Sequence, residues 1–474
     1  MPSVILIGHS FTYPISDVLH LFYSATPIVG ESCITVGDPS VRIYSQLSDA
    51  GISTWTDGGL RYTETSFPGN LPPNREVKRQ LYAILNVLTG REYPWGSLTG
   101  IRPTQVAREC LTEENLISQY FVSPKKAHLA VEATKGEDRV FSRLLPEDLF
   151  LYVGIPFCPS RCAYCSFISE DAGNRSDLLS AYADAVLTEI RTYREISCIK
   201  PRAIYVGGGT PTVFPDELFV RFYEDLFREF YKDREIEITV EAGRPDTITP
   251  RKLRLLKDLG VRRICLNPQT LSDVTLKNLS RKHTADDFYR AYACAKEIGF
   301  EVINTDLIAG LPGEDIGTFE HTLETILQLA PQNITVHALS LKRKAKYAAE
   351  IPDSFGASAE AMIEFSHRRL KESGYLPYYL YRQKSTAEGQ ENTGYAKPGT
   401  ECEYNVAMMG DRHNILSFGA GSMSKRIFAN GRLERCQTVR NPEEYIARAV
   451  EMARRKAEFF ADDPVGNREE RIKE

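Results

Sequence analysis

The chain has 474 residues, of which 42% are apolar and 26% are charged, and its formal net charge is −5. This mixture excludes collagen-like, coiled-coil and wholly disordered proteins. The slightly acidic balance gives no field that would attract phosphate backbones, so we predict no nucleic-acid partner. No apolar run approaches the roughly 18 residues of a membrane helix, and the segment after Met1 lacks the basic start of a signal peptide. We therefore expect a cytoplasmic protein without a membrane partner.

Residues 1–147 predict an α/β extension that is separate from the rest of the chain. Short apolar runs alternate there with amphipathic stretches, which indicates a mixture of strands and helices. The predicted strands are Val4–Ile7, Ile34–Val36 and Val41–Tyr44, and the predicted helices lie near Glu76–Val87 and Pro103–Cys110.

Residues 148–345 repeat one unit, a short apolar run followed by an amphipathic helix. Such runs are typical of strands that helices cover on both faces of a parallel sheet. Six units favour an open or partial (β/α)6 barrel, with a doubly wound sheet as the alternative, because periodicity alone cannot decide closure. The strand runs are Leu149–Phe157, Ala203–Val206, Ile236–Val240, Arg263–Leu266, Val302–Leu307 and Ile334–Leu341, and the helical stretches lie near Leu178–Tyr193, Leu218–Phe230, Pro250–Leu259, Asp286–Ile298 and Thr318–Leu329.

Residues 346–474 form a C-terminal region with two polar segments. Gln383–Thr400 is rich in Gly, Ser, Thr and Gln and is long for a connection, which predicts a lid or mobile loop. Met452–Glu474 is mostly charged, and we expect a solvated helix that frays into a disordered tail.

Three cysteines follow the first strand of the repeating region in a C-x3-C-x2-C spacing. The three are Cys158, Cys162 and Cys165. A disulfide role is not expected for them, because a reducing compartment disfavours disulfide bonds. Soft thiolates on one loop suit zinc or an iron–sulfur cluster, and a four-iron cluster normally takes four ligands. Three ligands leave one metal position open to an exogenous ligand. A structural zinc site completed by a distant residue is the alternative.

The second strand ends in a glycine run, Gly207-Gly208-Gly209-Thr210-Pro211-Thr212. Glycines let backbone amides approach a ligand closely. The spacing is that of neither a Walker loop nor a dinucleotide fingerprint. A tight turn is the alternative interpretation.

Polar residues also stand where later strands end. Glu241 closes the third strand, Asn267-Pro268-Gln269 follows the fourth, and Asn304–Gly313 carries the fifth. The carboxyl ends of barrel strands are where ligand sites lie. Taken singly, each of these residues could equally be a turn or a helix cap.

These segments together resemble the radical S-adenosylmethionine (SAM) superfamily and, within it, the oxygen-independent coproporphyrinogen III oxidase branch. The resemblance covers residues 148–345 and, more loosely, 375–425. The segment Pro94-Trp95-Gly96-Ser97-Leu98-Thr99-Gly100-Ile101-Arg102-Pro103-Thr104 is similar to the HemZ-type coproporphyrinogen dehydrogenases of that branch. The resemblance implies a partial (β/α)6 barrel and a [4Fe-4S] cluster held by Cys158, Cys162 and Cys165. It also implies SAM on the open iron, whose cleavage releases a 5′-deoxyadenosyl radical.

The resemblance further assigns cofactor residues by motif. Asp306 and Glu241 would accept hydrogen bonds from ribose hydroxyls or an ammonium, and Arg281 would clamp a carboxylate. The residues matched to the cluster-bound SAM are Tyr152, Tyr164, Gly208, Glu241 and Met423. Those matched to a second SAM are Gly209, Thr210, Gln269, Arg281, Asp306 and Ser340. The predicted catalytic residues are Tyr152, Gln269 and Arg281.

The implied activity is the oxidative decarboxylation of two propionates of coproporphyrinogen III to vinyl groups, which gives protoporphyrinogen IX in heme biosynthesis. It requires a tetrapyrrole substrate and a one-electron donor such as flavodoxin or ferredoxin. A tetracarboxylate substrate also needs cations, although each candidate could equally be a surface residue. The candidates are Arg102, Lys342, Arg343, Arg382 and Arg412.

Two departures from the branch keep other functions open. Phe167 stands where the founding oxidases have a fourth cysteine, and Tyr404–Met409 stands where heme chaperones carry a His-Asn-x-x-Tyr-Trp segment. A heme-binding trafficking protein is therefore one alternative, with Tyr404, Met408, Met409 or Cys402 on iron. A radical methyltransferase or tetrapyrrole-opening enzyme is another.

Four further residues are predicted to be structural. His283, His337 and His413 are more typical of satisfied structural histidines than of acids or bases. Cys265 lies between Ile264 and Leu266 and is predicted to be buried core.

Overall fold

The computed structural model describes residues 1–461 apart from 24, 38–39, 68, 101, 166–169, 174, 231–235, 341–358, 384–385 and 387–388. The candidate residues Phe167, Lys342 and Arg343 lie outside the described residues, as does the tail from 462 onward. The chain divides into two compact units. The N-terminal unit comprises Met1–Gly136 with Leu380–Asn392, and the larger unit comprises Glu137–Tyr379 with Thr393–Glu474.

The N-terminal unit is built on a mixed sheet with the strand order β2-β3-β1-β4-β5-β6. Strand β1 pairs in parallel with β4 and antiparallel with β3. Apolar residues of the first two helices, such as Val18 and Leu81, pack on buried strand residues such as Val4 and Ile43. Helices and strands are present at each predicted position. The elements are β1 (Pro2–Ile7), α1 (Thr12–Phe22), β2 (Ile28–Val29), β3 (Cys33–Thr35), β4 (Val41–Ser48), β5 (Gly51–Thr56), β6 (Arg61–Thr63), α2 (Pro73–Thr89), α3 (Pro103–Cys110), α4 (Glu113–Tyr120) and α5 (Pro124–Phe141).

The larger unit alternates strands and helices from residue 149 to residue 338, as the repeating apolar runs predict. The elements up to that point are β7 (Leu149–Ile155), β8 (Phe157–Cys158), β9 (Glu170–Asp171), α6 (Ser176–Ile196), β10 (Pro201–Gly208), α7 (Asp216–Arg228), β11 (Glu237–Glu241), α8 (Pro250–Asp258), β12 (Arg263–Cys265), α9 (Asp273–Asn278), α10 (Ala285–Ile298), β13 (Val302–Ala309), α11 (Ile316–Leu329) and β14 (Asn333–Ala338).

The rest of the chain adds strands to both edges of that repeat. The elements after β14 are α12 (Ala359–Glu372), β15 (Leu376–Arg382), β16 (Glu391–Ala396), α13 (Glu403–Gly410), β17 (Asn414–Phe418), β18 (Met423–Ile427), β19 (Leu433–Gln437) and α14 (Pro442–Phe460). In the part of the chain that the structure describes, every helix is too short or too polar to traverse a lipid bilayer.

The strand order confirms the predicted partial barrel. The sheet runs β15-β16-β14-β13-β12-β11-β10-β7-β17-β18-β19, and β7 to β14 are parallel neighbours in chain order, leaving aside the short separate pair β8 and β9. A doubly wound sheet would instead reverse its strand order at a central switch point. Within the described residues the order is linear, so the barrel stays open between β15 and β19.

The core of the larger unit lies between this sheet and its helices. Residues of β7 and β10, such as Val153 and Val206, are fully buried, and so are helix residues such as Ile190 and Phe222. Burial of both sheet faces explains why the strands are nearly continuous apolar runs. This packing fixes the carboxyl edge of the parallel strands, where the candidate site residues lie.

The predicted mobile loop at Gln383–Thr400 is wrong for its second half. Residues Glu391–Ala396 form β16, which is buried along its whole length and pairs antiparallel with β14. The polar composition conceals this strand because its buried charge is paired within the N-terminal unit. The Glu391 carboxylate accepts from Trp95 Nε1 at 2.8 Å and from Lys126 Nζ at 2.7 Å.

The predicted solvated helix at Met452–Glu474 is also wrong for its described part. Helix α14 ends at Phe460, and Met452, Ala453 and Ala457 are buried in the core. The charged residue Lys456 is buried as well, because its ammonium pairs with the Glu189 carboxylate of α6. Tyr445 Oη and Gly419 N donate to the same carboxylate at 2.5 and 3.0 Å.

We predict that Lys456→Met destabilises the protein by about 3 kcal/mol, because it leaves the Glu189 charge buried without its cation. The measurement is the free energy of unfolding in urea, with circular dichroism used to monitor the transition. Arg454→Met, on the exposed face of the same helix, is the matched control and should change stability by less than about 0.5 kcal/mol. Equal stability of the two variants would contradict the prediction.

Candidate cluster and cofactor site

The site lies where the parallel strands end. Carboxyl ends of neighbouring parallel strands meet at one edge of a sheet. The loop that carries Cys158, Cys162 and Cys165, here called the cysteine loop, therefore lies beside the glycine run Gly207–Gly209 at the end of β10. Register pairs Gly208 with Ile155, the last residue of β7. Met423 reaches the same edge by another route, because β17 runs parallel to β7 and β18 starts directly after the following turn.

The cysteine loop is fastened at several points. All three cysteines lie outside disulfide bonds and are partly exposed. Cys165 N donates to Cys162 O at 3.0 Å, and Ala163 N donates to Leu279 O at 3.0 Å. Ala172 N, on the far side of the loop, donates to Cys158 O at 2.8 Å. The loop is thus held by its own turn and by neighbouring chain segments.

Three side chains donate towards the sulfurs. Thr210 Oγ1 lies 3.4 Å from Cys158 Sγ. Arg244 Nη1 and Arg281 Nη1 each lie 3.7 Å from Cys162 Sγ. Thiolates bound to a metal cluster accumulate negative charge, and two guanidinium groups at one sulfur would offset it.

The donor set fits a cluster better than a single ion. Among the described residues, no three His, Cys, Asp or Glu side chains converge closely enough to hold one metal ion. The zinc alternative therefore finds no support there. In a cluster each cysteine binds a different iron, so the three sulfurs need not converge on one point. Three partly exposed thiols with cationic neighbours match that arrangement.

The glycine run forms a close contact that side chains would prevent. A Cβ on Gly209 would lie 2.5 Å from Phe157 O, and one on Gly207 would lie 2.9 Å from the Glu241 carboxyl carbon. Gly208 has φ +114°, a conformation that residues with a Cβ rarely adopt. Gly209 N and Thr210 N donate to Ile155 O and Phe157 O at 2.8 and 2.7 Å. The run therefore packs directly on the cysteine loop.

Glu241 occupies the centre of the polar network at this edge. Tyr205 Oη donates to its Oε1 at 2.6 Å, and Gly208 N donates to its Oε2 at 3.2 Å. Burial, and to a lesser degree the negative charge of Asp306, raises the pKa of Glu241 to about 7, although these two donors and His337 act to lower it. Such a carboxylate can bind a cation or accept a hydrogen bond from a hydroxyl group.

Three tyrosine rings stack beside Glu241. The ring centroids of Tyr205 and Tyr404 are 4.6 Å apart, and Tyr152 lies 6.3 Å from Tyr205 and 6.1 Å from Tyr404. Burial raises the pKa of all three phenols, so they stay neutral. Tyr152, a predicted cofactor residue, is therefore a neutral phenol in an aromatic wall.

Arg281 is engaged with the cysteine loop. Its guanidinium donates to Tyr164 Oη at 3.1 Å and to the carbonyl oxygens of Gly243 and Asn267 at 3.0 and 2.8 Å, besides Cys162 Sγ. Burial raises the pKa of Tyr164, which lies against this cation. The geometry gives both residues a role in holding the loop, where the sequence suggested a carboxylate clamp for Arg281.

Gln269 has a strained backbone. Its φ is +70°, an uncommon value for a residue with a Cβ, although its N–H and C=O bond to Asp306 O and Ile308 N. Its buried side-chain Oε1 has no partner among the described residues. Strain of this kind clusters at ligand sites. Asp306 lies alongside, and its carboxylate accepts from Asn304 Nδ2 at 2.7 Å and lies 3.7 Å from His337 Nε2.

The remaining predicted cofactor residues are peripheral. Ser340 is partly buried just beyond β14, and Met423 is 40% exposed at the start of β18. Gly209 and Thr210 touch the cysteine loop as described above. The structure thus brings most predicted residues into two groups, one around Cys162 and one around Glu241.

Sequence reasoning missed three contributors. Arg244 touches Cys162, Tyr205 holds Glu241, and His337, expected to be structural, faces Asp306. Arg244 stands in the strand-end segment Val-Glu-Ala-Gly-Arg-Pro, so its position was a usable signal. The sequence carried no such signal for Tyr205, because its position is typical of one more apolar residue in a buried strand.

The other expected residues are accounted for as follows. Cys265 is confirmed as core at 4% exposure, and His283 and His413 are buried too. Of the candidate substrate cations, Arg382 is buried, and its guanidinium donates hydrogen bonds to Leu98 O and Gly389 O. Arg412 lies over the Phe141 ring.

Comparison with known proteins places this site in context. A family model described as the radical SAM superfamily matches residues 152–326. The chain is 34% identical over 469 residues to the Bacillus subtilis "Oxygen-independent coproporphyrinogen-III oxidase-like protein HemZ", and the match covers 92% of each chain. It is 29% identical over 276 residues to the Bacillus subtilis "Heme chaperone HemW", covering 57% of this chain and 69% of that protein.

One solved structure shares the fold. The Escherichia coli coproporphyrinogen III oxidase HemN, described as a radical SAM enzyme, aligns with a TM-score of 0.53 at 22% identity. The alignment covers 66% of this chain and 72% of that one. At this identity the likeness shows the fold alone.

We predict that replacing Cys158, Cys162 or Cys165 by alanine abolishes cluster assembly, because each thiolate binds an iron that the others cannot reach. The measurements are iron content and visible absorption after anaerobic reconstitution. Cys198→Ala, which removes an exposed thiol outside the loop, is the control and should keep the full cluster. A four-iron cluster retained in one of these three variants would contradict the assignment of the cysteines as cluster ligands.

Proposed function

Because the chain belongs to the radical SAM superfamily, in the HemZ-like branch of the oxygen-independent coproporphyrinogen III oxidases, we propose that it is a coproporphyrinogen III dehydrogenase. The cofactors of this superfamily are a [4Fe-4S] cluster and SAM. The proposed reaction converts two propionates to vinyl groups. The observation that carries the proposal is the likeness to the HemZ protein over 92% of each chain, an extent that reaches beyond the barrel into the N-terminal unit.

The residues of the site fit both cofactors. Cys158, Cys162 and Cys165 would hold the cluster, and Glu241 with the glycine run would hold SAM. When bound, these cofactors supply a 5′-deoxyadenosyl radical that abstracts a hydrogen atom. Gly207 and Gly209 let the glycine run pack directly on Glu241 and on Phe157, where a Cβ would overlap. Glu241 offers a carboxylate for the amino group of SAM.

The chain's own side chains position and insulate this chemistry. Thr210, Arg244 and Arg281 donate to the cysteine sulfurs and so fix the loop. The stacked rings of Tyr152, Tyr205 and Tyr404 form an apolar wall, which limits access of water to a reactive radical. Tyr205 and Gly208 N keep the Glu241 carboxylate oriented, so that a bound ammonium meets it without rearrangement.

A second SAM molecule is part of the proposal. Gln269 combines a strained backbone with an unpartnered buried Oε1, which a ligand donor would satisfy. Asp306 supplies a carboxylate beside it, as ribose hydroxyls require. Because Arg281 is engaged by the cysteine loop, we assign its role in this second site to positioning the loop.

The proposed reaction has a fixed electron balance. Loss of one hydrogen atom and carbon dioxide from a propionate leaves a vinyl group and one surplus electron. Each turnover therefore needs an electron acceptor as well as the one-electron donor that reduces the cluster. Flavodoxin or ferredoxin is the class of donor that we propose.

Heme binding is the second candidate function, because the chain is similar to the HemW chaperone. Two of the four residues suggested as iron ligands argue against it. Tyr404 and Cys402 are 4% and 1% exposed, and Tyr404 is part of the aromatic stack. A heme iron approaching either residue would have to displace the barrel core.

The test is an anaerobic reaction of the reconstituted protein with SAM, a one-electron reductant and coproporphyrinogen III. We expect stepwise loss of two carboxyl groups together with 5′-deoxyadenosine, both measured by mass spectrometry, and neither with the Cys162→Ala variant. Formation of 5′-deoxyadenosine with untouched porphyrinogen would retain the radical site and reject the substrate. Stoichiometric heme binding in that case would favour the second candidate.

We predict that SAM affinity rises about tenfold between pH 6 and pH 8, because Glu241 must be ionised to pair with the amino group and its pKa is about 7. The measurement is equilibrium binding of SAM to the reconstituted protein across that range. Glu241→Gln should bind weakly and without this pH dependence. Tyr205→Phe should shift the midpoint to higher pH, since a donor that stabilises the carboxylate is lost. A flat wild-type profile would contradict the prediction.

A further inference from the structure

The N-terminal unit contains a cavity that the proposed function does not use. Its volume is about 250 Å³, and residues 97–100 and 102–103, part of the stretch similar to HemZ-type proteins, form one of its walls. Three cations, Arg75, Lys78 and Arg102, line it. Of the described residues that line it, none is Asp or Glu. The cavity is therefore a concave surface lined by cations, of which Arg75 and Lys78 are also paired with Glu109 and Asp17.

The wall of the cavity is held in place from behind. Ser97 N donates to Tyr120 O at 2.8 Å, and the Arg382 guanidinium donates to Leu98 O. Trp95 is anchored through its Nε1 to the buried Glu391 carboxylate at 2.8 Å. Gly96 has φ +51°, and a Cβ there would lie 2.1 Å from Tyr120 O, so only glycine permits this close approach. This fixed wall distinguishes the cavity from a gap between mobile side chains.

Lys78 and Arg75 keep donors for a ligand. Lys78 Nζ donates to Thr99 Oγ1 at 2.6 Å and to Asp17 Oδ2 at 3.1 Å, and an ammonium carries three donors. Arg75 donates to Tyr120 Oη at 3.2 Å and pairs with Glu109, and a guanidinium carries five donors. Neither Asp17 nor Glu109 lines the cavity itself.

Two helix starts add to the positive potential. Helices α2 and α3 begin with Pro73 and Pro103, and neither has a side-chain cap. Their first turns border the cavity through Asn74 and Gln105. The positive ends of both helix dipoles therefore reinforce the charge of the three cations.

We propose that this cavity is a binding site for a small polyanion, a phosphate ester or a polycarboxylate. Lys78 and Arg75 at one concave wall, each with donors to spare, match two negative charges on one ligand. The volume lies below the range of roughly 300–1,000 Å³ that is typical of drug-sized ligands, which excludes a tetrapyrrole. The site thus serves a compact anion and is separate in chemistry from the proposed substrate.

The experiment is isothermal titration calorimetry of the full-length, cluster-loaded protein with pyrophosphate and, separately, citrate. We expect one anion bound per chain, with affinity that falls as salt is added. Lys78→Gln should weaken binding about tenfold through the loss of one charge. The stronger of the two anions identifies the ligand as phosphoryl or carboxylate.

Two further variants make the test decisive. Gly100→Leu keeps every cation and has no atom within 4 Å of its Cβ, so it should fold normally and block binding by filling the cavity. Arg42→Gln removes an exposed cation of the same unit and should leave affinity unchanged. The proposal is overturned if neither anion binds, if Gly100→Leu binds like the unmodified protein, or if Arg42→Gln loses affinity as Lys78→Gln does.

Discussion

The close approach of β10 to the cysteine loop is the constraint on which the site depends. The parallel register of β7 and β10 sets Gly208 against Ile155, and Gly209 and Thr210 then bond to Ile155 O and Phe157 O. Only glycine fits at Gly209, since a Cβ would overlap Phe157 O. One backbone contact thus fixes the cysteine loop, aims Thr210 at Cys158 and brings Gly208 N to Glu241.

Around this contact the polar groups divide by charge. Arg244 and Arg281 stand at Cys162, where thiolates concentrate negative charge, and Glu241 and Asp306 stand where a cationic, ribose-bearing cofactor would lie. Buried charges are costly without partners. The charged groups named here have partners within the chain. The buried Oε1 of Gln269 has none among the described residues, and a hydrogen-bond donor on a bound ligand would supply one.

Buried ion pairs also explain where sequence patterns misled. The strand β16 and the helix α14 carry Glu391 and Lys456 in positions that composition assigns to solvent. Each charge meets its partner far away in sequence, Lys126 for Glu391 and Glu189 for Lys456. A pattern of polarity read along the chain cannot register a neighbour that only folding supplies.

The sequence by itself determined the strand–helix repeat and the cysteine loop, because apolar runs and ligand spacing are local properties. The choice between a partial barrel and a doubly wound sheet came from the strand order. The strand-end positions of Gly208, Glu241 and Gln269 followed from the same repeat. Only the tertiary structure decided the contacts between these segments: Tyr205 on Glu241, Arg244 on Cys162 and the engagement of Arg281 by Tyr164. Those contacts join residues from different strands, and their distances depend on register and packing, which no single segment of sequence contains.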